Sequence, residues 1–167
     1  AGKVNTVLTQ GYYDFDSYAL KSSLSGITHS RYPKAAVDFV LKNEVAPNMF
    51  NDFNSGAYLI GRAYPQRKVF IDGRTELYGQ EFFERYLKAL NGDGSAFEEI
   101  VKKYNIGAAL LNMTSTPMPK IAAYMYKDPR WKLVFLDYAA AVFLKDEASN
   151  QALIKKYKID VSRYSAP

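Results

Sequence analysis

The chain has 167 residues, no cysteine, one histidine and a net charge of +5, with hydrophobic residues making up 48%. That length suits one domain, and that hydrophobic fraction excludes an intrinsically disordered chain. The lack of thiols excludes disulfides, thiolate metal sites and cysteine nucleophiles, and no apolar run is long enough to span a bilayer.

Residues 1–30 are polar and rich in Ser and Tyr, and they predict a linker that wraps the domain, with a short edge strand over Val4 to Leu8. Pro33 suits a first helical turn, and Ala36, Val37, Phe39, Val40 and Leu41 carry helical spacing over 33–43. Met49 to Asn51 reads as a short buried strand, and Asp52 to Ser55 has N-cap chemistry. A short helix is expected from Gly56 to Arg62, stopped before Pro65. Lys68 to Asp72 is a continuous apolar run, as in a strand covered on both faces. Phe82, Phe83, Tyr86, Leu87 and Leu90 predict a helix over 79–90. Ser95 with Glu98 three residues on reads as a capping box for a helix over 96–104, and Asp93 reads as a turn residue. Ile106 to Met113 is an apolar strand, 118–127 is helical, and Trp131 to Asp137 and Ala140 to Leu144 form a hairpin around Tyr138-Ala139. A last helix spans 148–157. The alternation predicts an α/β fold: a mostly parallel central sheet of about five strands flanked by helices, with an antiparallel C-terminal edge hairpin. The expected divisions are a linker over 1–30, a core domain over 31–147 and a C-terminal helix and tail over 148–167.

The chemistry-bearing patterns are few. His29 is the single histidine, so a zinc site is not expected, and no metal or cofactor is assigned. Gly-x-Ser-x-Gly, Gly-x-Gly-x-x-Gly and Walker patterns are absent. Asn112-Met113-Thr114 matches a glycosylation sequon at a strand end and is read as chance. Lys102-Lys103 and Lys155-Lys156 stand out as adjacent basic pairs, but no basic run marks a nucleic-acid groove. The 14 Tyr and 10 Phe suit a half-wet interface, a sugar site or a membrane-proximal face. Asp52 and Asp72 end two predicted strands, where ligands collect in open α/β sheets. They suit acid–base work, sugar hydroxyls or simple loop anchoring, with Asp72 paired to Arg62 or Arg74. The candidate face is Asn51, Asp52, Asn54, Asp72, Arg74 and Tyr78, with Arg74 offering a fixed fork to a carboxylate or phosphate.

The stretch Phe50-Asn51-Asp52-Phe53 through Gly56 to Ile60, then Arg67 through Asp72-Gly73-Arg74-Thr75 to Gly79, resembles the C-terminal soluble domain of bacterial polytopic membrane proteins. Those are relatives of GT-C-type glycosyltransferases that use lipid-linked sugars. The resemblance spans about residues 31–145. More distantly, the chain is similar to the soluble domain of oligosaccharyltransferase catalytic subunits, with Asp52 and Gly56 matching a Trp-Trp-Asp-Tyr-Gly motif after a spacing change. Phe50 and Asn51 stand in place of its tryptophans. In that superfamily the catalytic carboxylates lie in the membrane portion. The resemblance therefore implies a non-catalytic, extracytoplasmic domain tethered to the membrane portion of the same polypeptide, beside a glycan or lipid-linked sugar. Two other readings stay open: a structural protein-protein interaction module, and a small-molecule enzyme using Asp52 and Asp72.

Overall fold

The computed structural model describes residues 32–114 and 118–161. The expected N-terminal linker with its Val4 to Leu8 strand, His29 and the tail from 162 onward lie outside the described residues. The described elements are α1 (Lys34–Lys42), β1 (Met49–Asn51), α2 (Phe53–Ala63), a 3-10 turn (Thr75–Leu77), α3 (Gln80–Leu90), α4 (Gly94–Tyr104), β2 (Ala108–Asn112), α5 (Ile121–Lys127), β3 (Trp131–Leu136), β4 (Ala140–Lys145), a second 3-10 turn (Ala148–Asn150) and α6 (Gln151–Tyr157).

The mixed α/β architecture agrees with the alternation in the sequence, but the sheet differs from the expected one. Among the described residues it has four strands in the order β1-β2-β4-β3. Only β1 and β2 run parallel, while β4 lies antiparallel to both β2 and β3. The predicted C-terminal hairpin forms, yet it is not a trim on a parallel sheet. Its second strand inserts beside β2, so Ala140 to Leu144 sit in the middle of the sheet.

Both faces of this sheet are covered, which accounts for the unbroken apolar runs in β2 and β4. Ala109, Leu111, Ala141 and Phe143 join one core with Tyr86 and Ala89 of α3, Phe97, Ile100 and Val101 of α4, and Ile121 and Met125 of α5. Ala108, Leu110, Val142 and Leu144 join the opposite core with Ala36, Val37 and Val40 of α1, Leu59 of α2 and Ile154 of α6. The two-residue period of the strands sends alternate side chains to the two layers.

Two further expectations are corrected. Residues 68–72 form no strand. They pass the end of β1 as extended loop, and their main chain bonds to a side chain: Phe70 N–H donates to Asn51 Oδ1 at 2.8 Å, and Asn51 Nδ2 donates to Ile71 O at 2.8 Å. One carboxamide replaces the ladder bonds a fifth strand would make. The cap of α4 is Asp93 rather than Ser95: its carboxylate accepts from Ala96 N–H at 3.1 Å, and the helix begins at Gly94. Glu98 does not close a capping box. It turns to Arg130, whose guanidinium donates to both of its carboxylate oxygens at 2.9 Å.

Candidate functional site

Asp52 follows the last residue of β1 and has extended backbone, so its side chain folds back over the first turn of α2. Oδ1 accepts from Ser55 N–H at 3.0 Å, and Oδ2 accepts from the Ser55 hydroxyl at 2.7 Å. Oδ2 also accepts from Asn112 N–H at 2.6 Å, sixty residues away at the end of β2. One carboxylate thus caps α2 and ties it to the second strand of the parallel pair. Asp52 is buried, and burial pushes its carboxyl above the usual carboxylate range against the pull of the Ser55 and Asn112 donors. Tyr86, which helical spacing had marked only as a core residue, adds a second clasp: its hydroxyl accepts from Phe53 N–H at 2.7 Å. Burial raises the Tyr86 phenol, so it stays protonated.

Asp72 does not end a strand. It sits on the loop that Asn51 anchors, with its carboxylate held by Arg74 through Nε at 3.0 Å, Nη2 at 2.6 Å and the backbone N–H at 2.9 Å. Arg62 takes a different partner, Asp38, at 2.7 Å. Asp72 N–H donates to the Tyr78 hydroxyl at 3.1 Å, and the Tyr78 ring stacks on Phe82. The Arg74 guanidinium holds the Asp72 carboxyl at about 2.

The six candidate residues therefore divide. Asn51 and Asp52 are buried inside the joint between β1, β2, α2 and the 68–74 loop. Asn54 is exposed on the first turn of α2. Asp72, Arg74 and Tyr78 border an open groove of about 440 Å³ that is also lined by Tyr64, Arg67, Lys68 and Val69. The two carboxylates are not aimed at a common space: Asp72 reaches the groove, while Asp52 is not among its walls. Among the described residues no buried side-chain oxygen or nitrogen lacks a partner. No group of three or more metal-binding side chains converges among the described residues, and no described helix is long and apolar enough to cross a membrane. The sequon asparagine is buried, and its Oδ1 accepts from the Thr114 N–H and hydroxyl, so it anchors a turn.

Tyr64, Arg67 and Lys68 line the groove, although none of them is among the six residues the sequence marks as a candidate face. The signal was present: Arg67-Lys68 is a third adjacent basic pair, and it lies inside the stretch that carries the family resemblance.

Comparison with protein-family models, with curated proteins and with solved structures yields no match to this chain.

The Asp72–Arg74 pair carries a pH signature. Its folded carboxyl lies below the ordinary aspartate value of about 4. Its stabilisation is therefore complete above pH ~4 and is lost as pH falls toward 2. Arg74 is 60% exposed, so water screens the pair and its contribution is small. In urea titrations at pH 6 and pH 2.5, Arg74→Ala should flatten the acid loss measurably. An acid loss identical to that of the unmodified chain would sink the assignment.

Proposed function

We propose that this chain is a non-catalytic, extracytoplasmic accessory domain of a membrane-embedded, glycosyltransferase-like protein, and that it shapes an acceptor or glycan site through the groove edged by Asp72, Arg74 and Tyr78. The observation that carries the non-catalytic part is the commitment of both candidate carboxylates. Every Asp52 oxygen is taken by a donor of the fold, and Asp72 is locked to Arg74. A general acid or base needs a lone pair or proton facing the substrate, and a nucleophile needs the same. The groove supplies binding chemistry instead: the rings of Tyr64 and Tyr78 for an apolar sugar face, and fixed polar groups at Asp72 and Arg74. The membrane setting is supported by the sequence resemblance.

The test uses the full-length parent in membranes. Tyr64 is 72% exposed, so Tyr64→Ala removes a groove wall with little effect on folding. Combined with Tyr78→Phe, which keeps the ring and removes the hydroxyl, it should lower glycan transfer by roughly tenfold or more at normal protein levels. Unchanged transfer would refute the accessory reading, as would turnover of a glycan donor by the isolated 167-residue chain.

A further inference from the structure

We infer that the groove beside Asp72 is an anion site, built to take a compact phosphate-type group between Arg67, Lys68 and Arg74. The inference deepens the accessory role and rests on that reading for its setting, but its evidence is the charge and bonding of the groove itself. Three cations and one carboxylate line the space, and that carboxylate is already neutralised by Arg74. The groove is left with an excess of positive charge.

Each cation has a different status. Arg67 is only 9% exposed, and its two terminal nitrogens donate to the carbonyls of Val45 and Ala46. Those carbonyls satisfy hydrogen bonding but carry no net charge, and no carboxylate pairs with Arg67 among the described residues. A guanidinium stays protonated under such conditions, so the fold holds a mostly buried, uncompensated positive charge. Burial at this point works against the charge, lowering the Arg67 affinity for its proton. Keeping such a charge is costly unless something opposite in sign approaches it. Lys68 follows directly and makes no ion pair among the described residues. Arg74 spends Nε and Nη2 on Asp72, which fixes the plane of its guanidinium, while its side chain remains mostly exposed. A pre-oriented fork is the arrangement that recognises phosphate oxygens in pairs. Tyr64 and Tyr78 border the same space and suit the carbon face of whatever carries the anion.

The cleft between α3 and α4 sets four carboxylates, Glu81, Glu84, Asp93 and Glu99, against two cations, Arg85 and Lys88, and so disfavours anions. Arg62, Arg85, Arg130 and Lys132, by contrast, are each paired with a carboxylate.

The test is calorimetric titration of the 167-residue chain with inorganic pyrophosphate, run beside vesicles of phosphatidylcholine with and without phosphatidylglycerol. The variant is Lys68→Ala, since the Lys68 side chain makes no ion pair or hydrogen bond among the described residues, whereas Arg67 supports two carbonyls. Pyrophosphate should bind, and Lys68→Ala should weaken it about tenfold, the usual effect of losing one charge-assisted contact. Pyrophosphate binding with no preference for the anionic vesicles identifies a soluble or sugar-linked phosphate as the source. Anionic-vesicle binding that Lys68→Ala removes identifies a lipid headgroup. Binding of neither probe, or binding that Lys68→Ala leaves unchanged, overturns the anion site. Loss of glycan transfer in the full-length groove variant without any anion binding overturns this inference and spares the accessory role. Anion binding with unimpaired transfer does the reverse.

Discussion

Gly56→Ala is expected to cost about 3 kcal/mol or more, although alanine is the better helix former. Gly56 lies in the first turns of α2, where glycine is worth about 1 kcal/mol less than alanine. The environment reverses that preference. A Cβ at position 56 would stand 2.1 Å from Ile71 O and 2.7 Å from Asp72 Cα. Both are backbone atoms, so no rotamer change relieves the contact. The 70–72 loop must retreat by about an ångström, and it is the loop that Asn51 and Tyr78 hold. Retreat breaks one or more buried hydrogen bonds at about 1–3 kcal/mol each, on top of the overpacking. Gly61 provides the internal control. It lies on the same helix with nothing within 4 Å of its added Cβ, so Gly61→Ala should stabilise by about 0.5–1 kcal/mol. Urea denaturation of the two variants checks both signs. Equal effects at the two positions would remove the close helix–loop contact from the description of the site.

That contact brings Gly56 against the 70–72 loop, so the two segments are held as one unit. The glycine lets the loop approach the helix, Asn51 replaces the missing strand pairing, and Arg74 closes the turn beyond Asp72. The groove with its cationic rim lies beside this joint, so its geometry depends on buried groups that no ligand touches.

Elements set by local periodicity were legible in the sequence. Helical spacing over 33–43 and 79–90 corresponds to Lys34–Lys42 and Gln80–Leu90, because each stripe buries against a sheet face. Local hairpin chemistry at Asp137 to Ala140 was legible for the same reason: the Asp137 carboxylate accepts from the Ala139 and Ala140 amides. What was not legible was set by partners far away in the chain. An apolar run such as Val69 to Ile71 reads alike whether its backbone pairs with a strand or with one asparagine side chain. Asp93 and Ser95 are both good caps. The choice fell to Asp93 because Glu98, which a capping box needs, is drawn to Arg130 on the β3 side of the sheet. Strand order is likewise non-local, which is why β4 was expected at an edge and lies inside. At the candidate site the sequence left Asp52 open between chemistry and a structural anchor, and the fold buries it in a joint, while Arg67 and Lys68, which carried no marked role, line the groove.

Asp52→Ala carries the other large expected effect, and it separates the structural role from a catalytic one. The substitution removes the carboxylate that accepts from Ser55 N–H, the Ser55 hydroxyl and Asn112 N–H, and of these Ser55 N–H keeps a second acceptor, the Asp52 carbonyl at 3.2 Å. Loss of an ordinary N-cap costs about 1 kcal/mol. Here the Asn112 amide is also orphaned, and its residue is buried, which adds a desolvation cost of about 1–3 kcal/mol. The expected total is about 3–4 kcal/mol, a large share of the roughly 5–15 kcal/mol that holds a domain together. Asp52→Asn keeps one accepting oxygen and should fall between. The pH dependence has a defined sign. Because burial raises the Asp52 carboxyl above its unfolded value, its stabilising term is full below about pH 4 and is lost as pH rises through the folded value. The Asn variant lacks this term, so its deficit against the unmodified chain should shrink between about pH 4 and neutrality. Thermal and urea unfolding at the two pH values measure it. A catalytic carboxylate behaves in the opposite way: active sites hold polar groups in strained or under-satisfied positions, and their replacement tends to be neutral or stabilising while activity is lost. An Asp52→Ala variant as stable as the unmodified chain would therefore overturn the joint and restore Asp52 as a candidate for chemistry. A loss of several kcal/mol, with the anion affinity of Asp52→Asn unchanged where it remains folded, places its role in holding α2, β1 and β2 together beside the groove.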